Sequence, residues 1–305
     1  MSAFHHEAVF YDDREQYLAG TLPDIRQALA GDGAVLVAVG EDKRALLEEA
    51  LGAEADAVAF ADMQELGRNP ACIIPAWRDF LRDAGPGPIV GIGEPVWPGR
   101  SDAELVECSR HESLLNLAFD GGRPWRLLCP YDSVQLTPSV LAEACRNHPH
   151  LGYDGATEPS GSYDGSYAVL TREDALPVPT RPPAELLFGR HDLSLVREFV
   201  GLQGRRAGIA GDRLEDLVLA ANELATNSMR HAGGSGILRT WHDDDEFCCE
   251  VRDRGRIDDP LAGRECPTGL RGGGRGLWIV NHLCDLVQMR SSASGSVVRL
   301  SMTLT

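Results

Sequence analysis

Long apolar runs are the first thing this 305-residue sequence lacks. No stretch approaches the roughly 20 consecutive apolar residues needed to cross a bilayer, so no membrane-spanning helix is expected. The start, MSAFHHEAVFYDD, is acidic where a secretory signal is basic and then apolar, which places the expected location in the cytoplasm. Basic charge is also scarce: 29 Lys and Arg face 46 Asp and Glu, for a formal net charge of −17. Without a basic cluster such a chain repels phosphate backbones and anionic membranes, so neither nucleic acid nor membrane is expected as a direct partner. None of the eight cysteines forms a C-x-x-C pair. Most lie among Leu, Val and Ile and read as reduced, buried thiols. Grouping Cys72, Cys108 or Cys129 with His6 or His111 gives a conceivable metal set, but one that follows no zinc spacing. Solenoid-length repeats and low-complexity tracts are missing as well.

What is present is a globular composition, 43% hydrophobic and 25% charged, and a length that suits two domains. The clearest break runs from Asp154 to Pro183, where five prolines and three glycines interrupt any periodicity. This predicts a front domain over 1–153, a linker over 154–183, in which YAVLT could be a short strand, and a second domain over 184–305.

Before the linker, apolar runs at 34–40, 57–63, 89–97 and 125–132 alternate with helical patterns such as ALLEEALG, IIPAWRDFLRDA and ELVECSRHESLLNLAF. Strands separated by helices of this length predict βαβ units and a parallel sheet covered on both faces. The turn after the 34–40 run, Gly40-Glu41-Asp42-Lys43-Arg44, lacks the G-x-x-x-x-G-K-[ST] of a phosphate loop. Glu94, Trp97, Arg100, Glu107, His111 and Glu112 fall near a strand end and the following helix, where open α/β sheets place ligands. Trp97 and His111 could equally pack under a loop and cap a helix.

After the linker the pattern becomes two helices, a hairpin, a Gly-rich loop, another helix and a closing pair of strands. Leu214, Leu217, Val218, Ala221, Leu224 and Ala225 share one face of a helix expected from Asp212 to His231. Glu223 and Asn227, four residues apart, share its polar face. A carboxylate beside a carboxamide oxygen suits Mg²⁺, which prefers oxygen ligands, although an isolated E-x-x-x-N is more often a solvated face. Asp253 and Gly255 follow at a strand exit, and Gly272-Gly273-Gly274-Arg275-Gly276 runs directly into LWIVNHLCDLV, so backbone N–H groups meet a helix N-terminus as in phosphate sites. His231 reads mainly as the close of its helix before Gly233-Gly234, with His231 and Arg230 as alternative catalytic or phosphate-binding side chains.

ANELATNSMRHA, VRDRG and GGRGLWIVNHLCD resemble the N, G1 and G2 boxes of GHKL ATPases, in order and at the usual separations. With HDLSLVREFV in front, residues 184–305 resemble most closely the anti-sigma-factor serine/threonine kinases of the RsbW/SpoIIAB type. The resemblance implies an α+β Bergerat sandwich that binds ATP and Mg²⁺. Asn227 would bind the metal, Glu223 would be the general base, and Asp253 would accept from the adenine amino group. Gly255 belongs to the same box; Gly274, Arg275 and Gly276 would grip the phosphates, Leu277 would complete the nucleotide site, and 256–273 would be a mobile lid. The family often has D-x-G-x-G, but Ile257 stands two residues after Gly255, which leaves the lid geometry open.

FHHEAVFYDD, ELGRNPACIIPAWRDFL, VGIGEPVWPGR, ELVECSRHESLLNLAF and LLCPYD resemble the MEDS sensory domain, an α/β module related to RecA-like ATPases. The pairing implies an RsbA-like regulator: a protein kinase switching between a sigma factor and a STAS-domain anti-anti-sigma protein, with a small-molecule or protein signal at the front domain. A homodimer is left open. A sensor histidine kinase with His191 at a helix start, and an ATP-gated binding module without phosphotransfer, are the alternatives.

Overall fold

The computed structural model describes residues 4–166, 174–179, 181–243, 245–266 and 275–304. The chain divides into two compact units, Met1–Ala168 and Val169–Thr305.

The first unit runs β1 (Phe4–Tyr11), α1 (Arg14–Ala30), β2 (Ala34–Val39), α2 (Glu41–Leu51), β3 (Ala59–Asp62), α3 (Met63–Leu66), α4 (Ile73–Asp83), β4 (Ile89–Gly93), α5 (Asp102–Phe119), β5 (Trp125–Asp132), α6 (Pro138–Asn147), β6 (His150–Tyr153) and β7 (Ala156–Pro159). The strands form one sheet in the order β3-β2-β4-β5-β1-β6-β7, parallel through β6, with β7 antiparallel at the edge. This is the expected α/β layer, but its first strand is β1, which lies ahead of the 34–40 run. β1 sits between β5 and β6 and is buried along nearly its whole length, as an interior parallel strand covered on both faces must be. Its polar residues therefore point inward, and periodicity in FHHEAVFY is hidden. The turn after β1 is Asp12-Asp13-Arg14, which also lacks a phosphate loop. A capping box between Ser101 and Glu104 starts α5, which turns Glu107, Arg110, His111 and Glu112 into the interior.

The opening of the expected linker belongs to this sheet. Asp154 and Gly155 both adopt positive φ, 48° and 77°, and the two-residue turn they make folds β7 back on β6. Asp-Gly is the pair that such hairpin turns favour. The YAVLT run lies outside the described residues.

The second unit contains β8 (Ala184–Gly189), α7 (Leu193–Arg206), α8 (Gly211–His231), β9 (Ser235–His242), β10 (Glu246–Asp253), α9 (Arg275–Leu283), β11 (Leu286–Ser292) and β12 (Gly295–Thr303). Its sheet is antiparallel, in the order β11-β12-β10-β9-β8, and helices pack on one face. Alternation along β10 directs Phe247, Cys249 and Val251 to the core, where they meet Leu217, Ala221 and Leu224 of α8 and Val200 of α7. On the opposite face Glu250 is fully buried and accepts from Arg252 and Arg299, the latter through Nε and Nη2 at 3.1 and 2.7 Å. The α+β sandwich is thus as expected, with the edge strand β8 as an element that periodicity did not reveal.

Candidate nucleotide site

The apolar face of α8 fixes which way its polar face points. With Leu217, Ala221, Leu224 and Ala225 in the core, Glu223 and Asn227 are left half-buried on the side toward α9. Gly276, in the first described turn of α9, comes so close that a Cβ there would lie 2.9 Å from Glu223 Oε2 and 3.1–3.2 Å from the Asn227 carboxamide. Three of the sequence-predicted residues from two separate motifs therefore meet at one point, and any side chain at 276 would displace the ends of the other two.

Asp253, at the end of β10, is held by three donors. Ser296 Oγ and the Gly255 N–H donate to Oδ1 at 2.7 and 2.9 Å, and Ser228 Oγ donates to Oδ2 at 2.5 Å. A carboxylate offers about four acceptor positions, so among the described residues one on Oδ2 stays open. Neither serine was singled out in the sequence. Ser228 follows Asn227 directly and could have been suspected; Ser296 is brought in only by the register of β10 with β12, which pairs it with Asp253.

Beside this carboxylate lies a cavity of about 520 Å³. Leu224, Val251, Ile257, Leu277 and Val298 supply apolar walls, and Asn227, Ser228, Asp253 and Ser296 supply polar groups. Apolar walls with a few placed polar groups suit a flat heteroaromatic ring. Glu223 is not in the lining and stands beyond Asn227. Arg275 is exposed at the start of α9, while Gly274 and the rest of 267–274 lie outside the described residues. Ile257 has a definite place: its N–H donates to Ser291 Oγ at 2.9 Å and its side chain packs on the core. Further along, Gly263 (φ 75°) presents its carbonyl to Asn281 Nδ2 at 2.8 Å and has no room for a Cβ against Leu277. The part of the expected lid that is described, 256–266, is therefore anchored at two points. His231 ends α8 before two glycines of positive φ and also lines the cavity, so both readings of it have a structural basis.

In the front unit, the six candidates separate. Glu94 follows β4 and is buried, accepts from the Tyr11 hydroxyl at 2.8 Å, and has its pKa raised to about 7 by burial. Arg100 donates to the carbonyls of Pro95 and Gly67 and stacks on Trp97, so this pair locks a loop. Glu107 and His111 are buried along α5. Glu112 meets His6, Cys129 and His148, all four side chains being buried with donor atoms within 4.8 Å of one another. Of the cysteines and histidines considered in the sequence, Cys129 and His6 come together here, with Sγ 3.4 Å from Nε2, and Cys108 donates to the Pro95 carbonyl. His148 was not anticipated, because its place depends on the packing of α6 and not on any spacing. Burial and the neighbouring His148 lower the His6 pKa to about 4.

Comparison with known proteins gives a family match for each unit. Residues 5–149 match the family described as MEDS, the methanogen/methylotroph, DcmR sensory domain, and residues 190–302 match the histidine kinase-like ATPase domain. The serine-protein kinase RsbW of Halalkalibacterium halodurans is 31% identical over 124 residues, which cover 37% of this chain and 76% of that protein. Among solved structures, the RsbU and RsbW domains of Rv1364c from Mycobacterium tuberculosis align at 16% identity and TM-score 0.32, over 68% of this chain and 50% of that one. The Acinetobacter baumannii histidine kinase AdeS aligns at 12% identity and TM-score 0.27, over 41% of this chain and 70% of that one.

Proposed function

The chain belongs to the RsbW-type family of histidine-kinase-like ATPases and carries a MEDS domain in front, and from that premise we propose that it is an ATP- and Mg²⁺-dependent serine/threonine protein kinase acting as an anti-sigma factor. In this reading it holds a sigma factor or phosphorylates a serine of a STAS-domain anti-anti-sigma protein, and the front domain receives the signal that sets the balance. The observation that carries the proposal is the meeting of Glu223, Asn227 and Gly276 beside a cavity with Asp253 on its wall.

The residues fit Mg·ATP. The open acceptor position on Asp253 suits an exocyclic amino group, which adenine has at its six-position and guanine does not. The Asn227 carboxamide oxygen is a hard ligand suited to Mg²⁺, and backbone N–H groups around Arg275 and Gly276 suit phosphate oxygens. Bound there, Mg²⁺ would neutralise charge on the phosphates. Glu223 then has the role of base: its carboxylate takes the proton of the partner's serine hydroxyl as that oxygen bonds to the transferred phosphoryl group, leaving phosphoserine and ADP. Leu277 shapes the apolar wall of the cavity, and Gly255, by its N–H, orients Asp253.

A sensor histidine kinase is the less favoured reading. His191 lies in the short turn between β8 and α7, inside the ATPase domain's own fold, and not on a helical hairpin of the kind that carries a phospho-accepting histidine. The test is capture of partners from the native host with the full-length chain and ATP, followed by incubation of the captured protein with labelled ATP. Phosphoserine on a STAS-domain protein supports the proposal. Capture of a response regulator that becomes phosphorylated on aspartate would replace it with the histidine kinase.

A further inference from the structure

The buried cluster of His6, Glu112, Cys129 and His148 lies in the front unit and shares no residue with the candidate nucleotide site. The four residues come from four elements: His6 from β1, Cys129 from the adjacent strand β5, Glu112 from α5, and His148 from the turn between α6 and β6. Their side chains are each at most 1% exposed. Glu112 Oε2 lies 3.1 Å from His6 Nε2, 3.2 Å from His148 Nε2 and 3.5 Å from Cys129 Sγ, and Sγ lies 3.4 Å from His6 Nε2.

The outer nitrogens of both imidazoles are already committed. His148 Nδ1 is 2.8 Å from the Ala144 carbonyl, which can only accept, so Nδ1 carries the proton. His6 Nδ1 is 3.1 Å from Asn116 Oδ1, and the amide orientation is set because Asn116 Nδ2 donates to the Asn147 carbonyl at 2.7 Å. His6 Nδ1 is therefore also the protonated nitrogen. In neutral imidazoles the two Nε2 lone pairs then converge on a buried carboxylate. Among the described residues His148 Nε2 has no partner in hydrogen-bond geometry, although it stands 3.2 Å from Glu112 Oε2, and neither has Glu112 Oε1. Lone pairs facing a carboxylate out of water are costly unless a cation stands among them.

We propose that these four side chains form a tetrahedral Zn²⁺ site that ties β1, β5, α5 and the α6–β6 turn of the front domain together. Four of the six separations, the three from Glu112 Oε2 and that between Cys129 Sγ and His6 Nε2, match that ion, and the two between His148 and the other ligands lie within 4.8 Å. Zinc bonds of about 2.0–2.1 Å to nitrogen and oxygen and about 2.3 Å to sulfur give tetrahedral edges of about 3.3 Å between N and O and about 3.5 Å between N and S. Imidazoles whose outer N–H is bound to a carbonyl or an amide oxygen are oriented as metal-binding histidines are. Four protein ligands close the coordination, and the void beside Glu112 and Cys129 offers no space for a water molecule. The site is thus of the structural kind, filled as the domain folds, with Cys129 giving up its thiol proton to solvent as the zinc–sulfur bond forms.

The test is made on tag-free, full-length protein. Elemental analysis should find about one zinc per chain, and chelation should remove it under conditions that open the front domain. Re-addition of Zn²⁺ to the chelated wild-type chain should raise the melting temperature of the front-domain transition by roughly 10 °C. Co²⁺ in its place should give tetrahedral visible bands and a thiolate-to-cobalt charge-transfer band, the latter lost in Cys129→Ser. The wild-type measurements stand even if that variant fails to fold. A chelated wild-type chain whose melting and spectrum respond to neither Zn²⁺ nor Co²⁺ overturns the proposal, as does a folded Cys129→Ser that keeps the charge-transfer band.

Discussion

Replacing Asp253 by asparagine changes one atom in the site and should change which base it accepts. Oδ1 receives the Gly255 N–H at 2.9 Å and the Ser296 hydroxyl at 2.7 Å, so an amide nitrogen there would set donor against donor. The substituted side-chain amide therefore takes the other orientation, with its NH₂ in the place of Oδ2. Ser228 can adapt, because its hydroxyl can turn to accept and also lies 3.3 Å from the Leu224 carbonyl. The adenine amino group cannot adapt, since it would meet a second donor. Losing a hydrogen bond to a charged acceptor costs about 1.5–3 kcal/mol, so ATP should bind roughly 10- to 150-fold more weakly. Guanine presents an acceptor at the same position, so the ratio of ATP to GTP affinity should fall further than ATP affinity alone. Isothermal titration of both nucleotides against the full-length variant, with its melting curve to show an intact fold, measures both effects. ATP affinity within about threefold of wild type, with an unchanged ATP/GTP ratio, would refute the placement of the base against Asp253.

Gly276→Ala puts a methyl 2.9 Å from Glu223 Oε2 and pushes Asn227 aside by a few tenths of an ångström. ATP turnover should fall tenfold or more while the melting temperature moves little, because both displaced side chains are half-buried; wild-type turnover would show that the contact is not part of the site. Glu94 makes a pH-dependent contribution to the stability of the front domain. Its folded pKa of about 7 lies above the ordinary 4.5, so the folded state binds more protons between these values and stability falls as pH rises through them. Denaturant titrations of wild type and Glu94→Gln should diverge by a few kcal/mol across that window and run parallel above it, and curves parallel throughout would remove Glu94 as the cause.

Legibility in the sequence followed how local each determinant is. The helix bearing Glu223 and Asn227 is readable because its core face repeats at helical spacing, and the β9–β10 hairpin because two apolar runs flank an acidic turn. Strands β2, β4 and β5 are short apolar runs between helices. By contrast, β1 carries His6 and Glu7 into the interior, so its burial leaves no alternation, and α1 holds Pro23 and a mixed face. The β6–β7 hairpin was hidden in a segment whose Pro and Gly suggested a linker, although Asp154-Gly155 is itself a turn signal. At the candidate nucleotide site, the motif residues were visible, whereas Ser296 depends on strand register and the contact of Gly276 with Glu223 on the packing of α9. His148 and Glu112 joined Cys129 and His6 only through the stacking of α5 and α6 on the sheet.

The central claim, that Glu223 is the base of a serine-directed phosphotransfer, is tested most directly by the single-turnover rate of Glu223→Gln with Mg·ATP and the captured STAS-domain partner. Glutamine keeps the shape of the side chain and its contact with Gly276 but cannot accept the hydroxyl proton. The expected result is ATP affinity within about threefold of wild type and a transfer rate lower by about 10²–10⁴-fold. A transfer rate equal to wild type would contradict the account and leave Glu223 with a purely structural place beside Asn227.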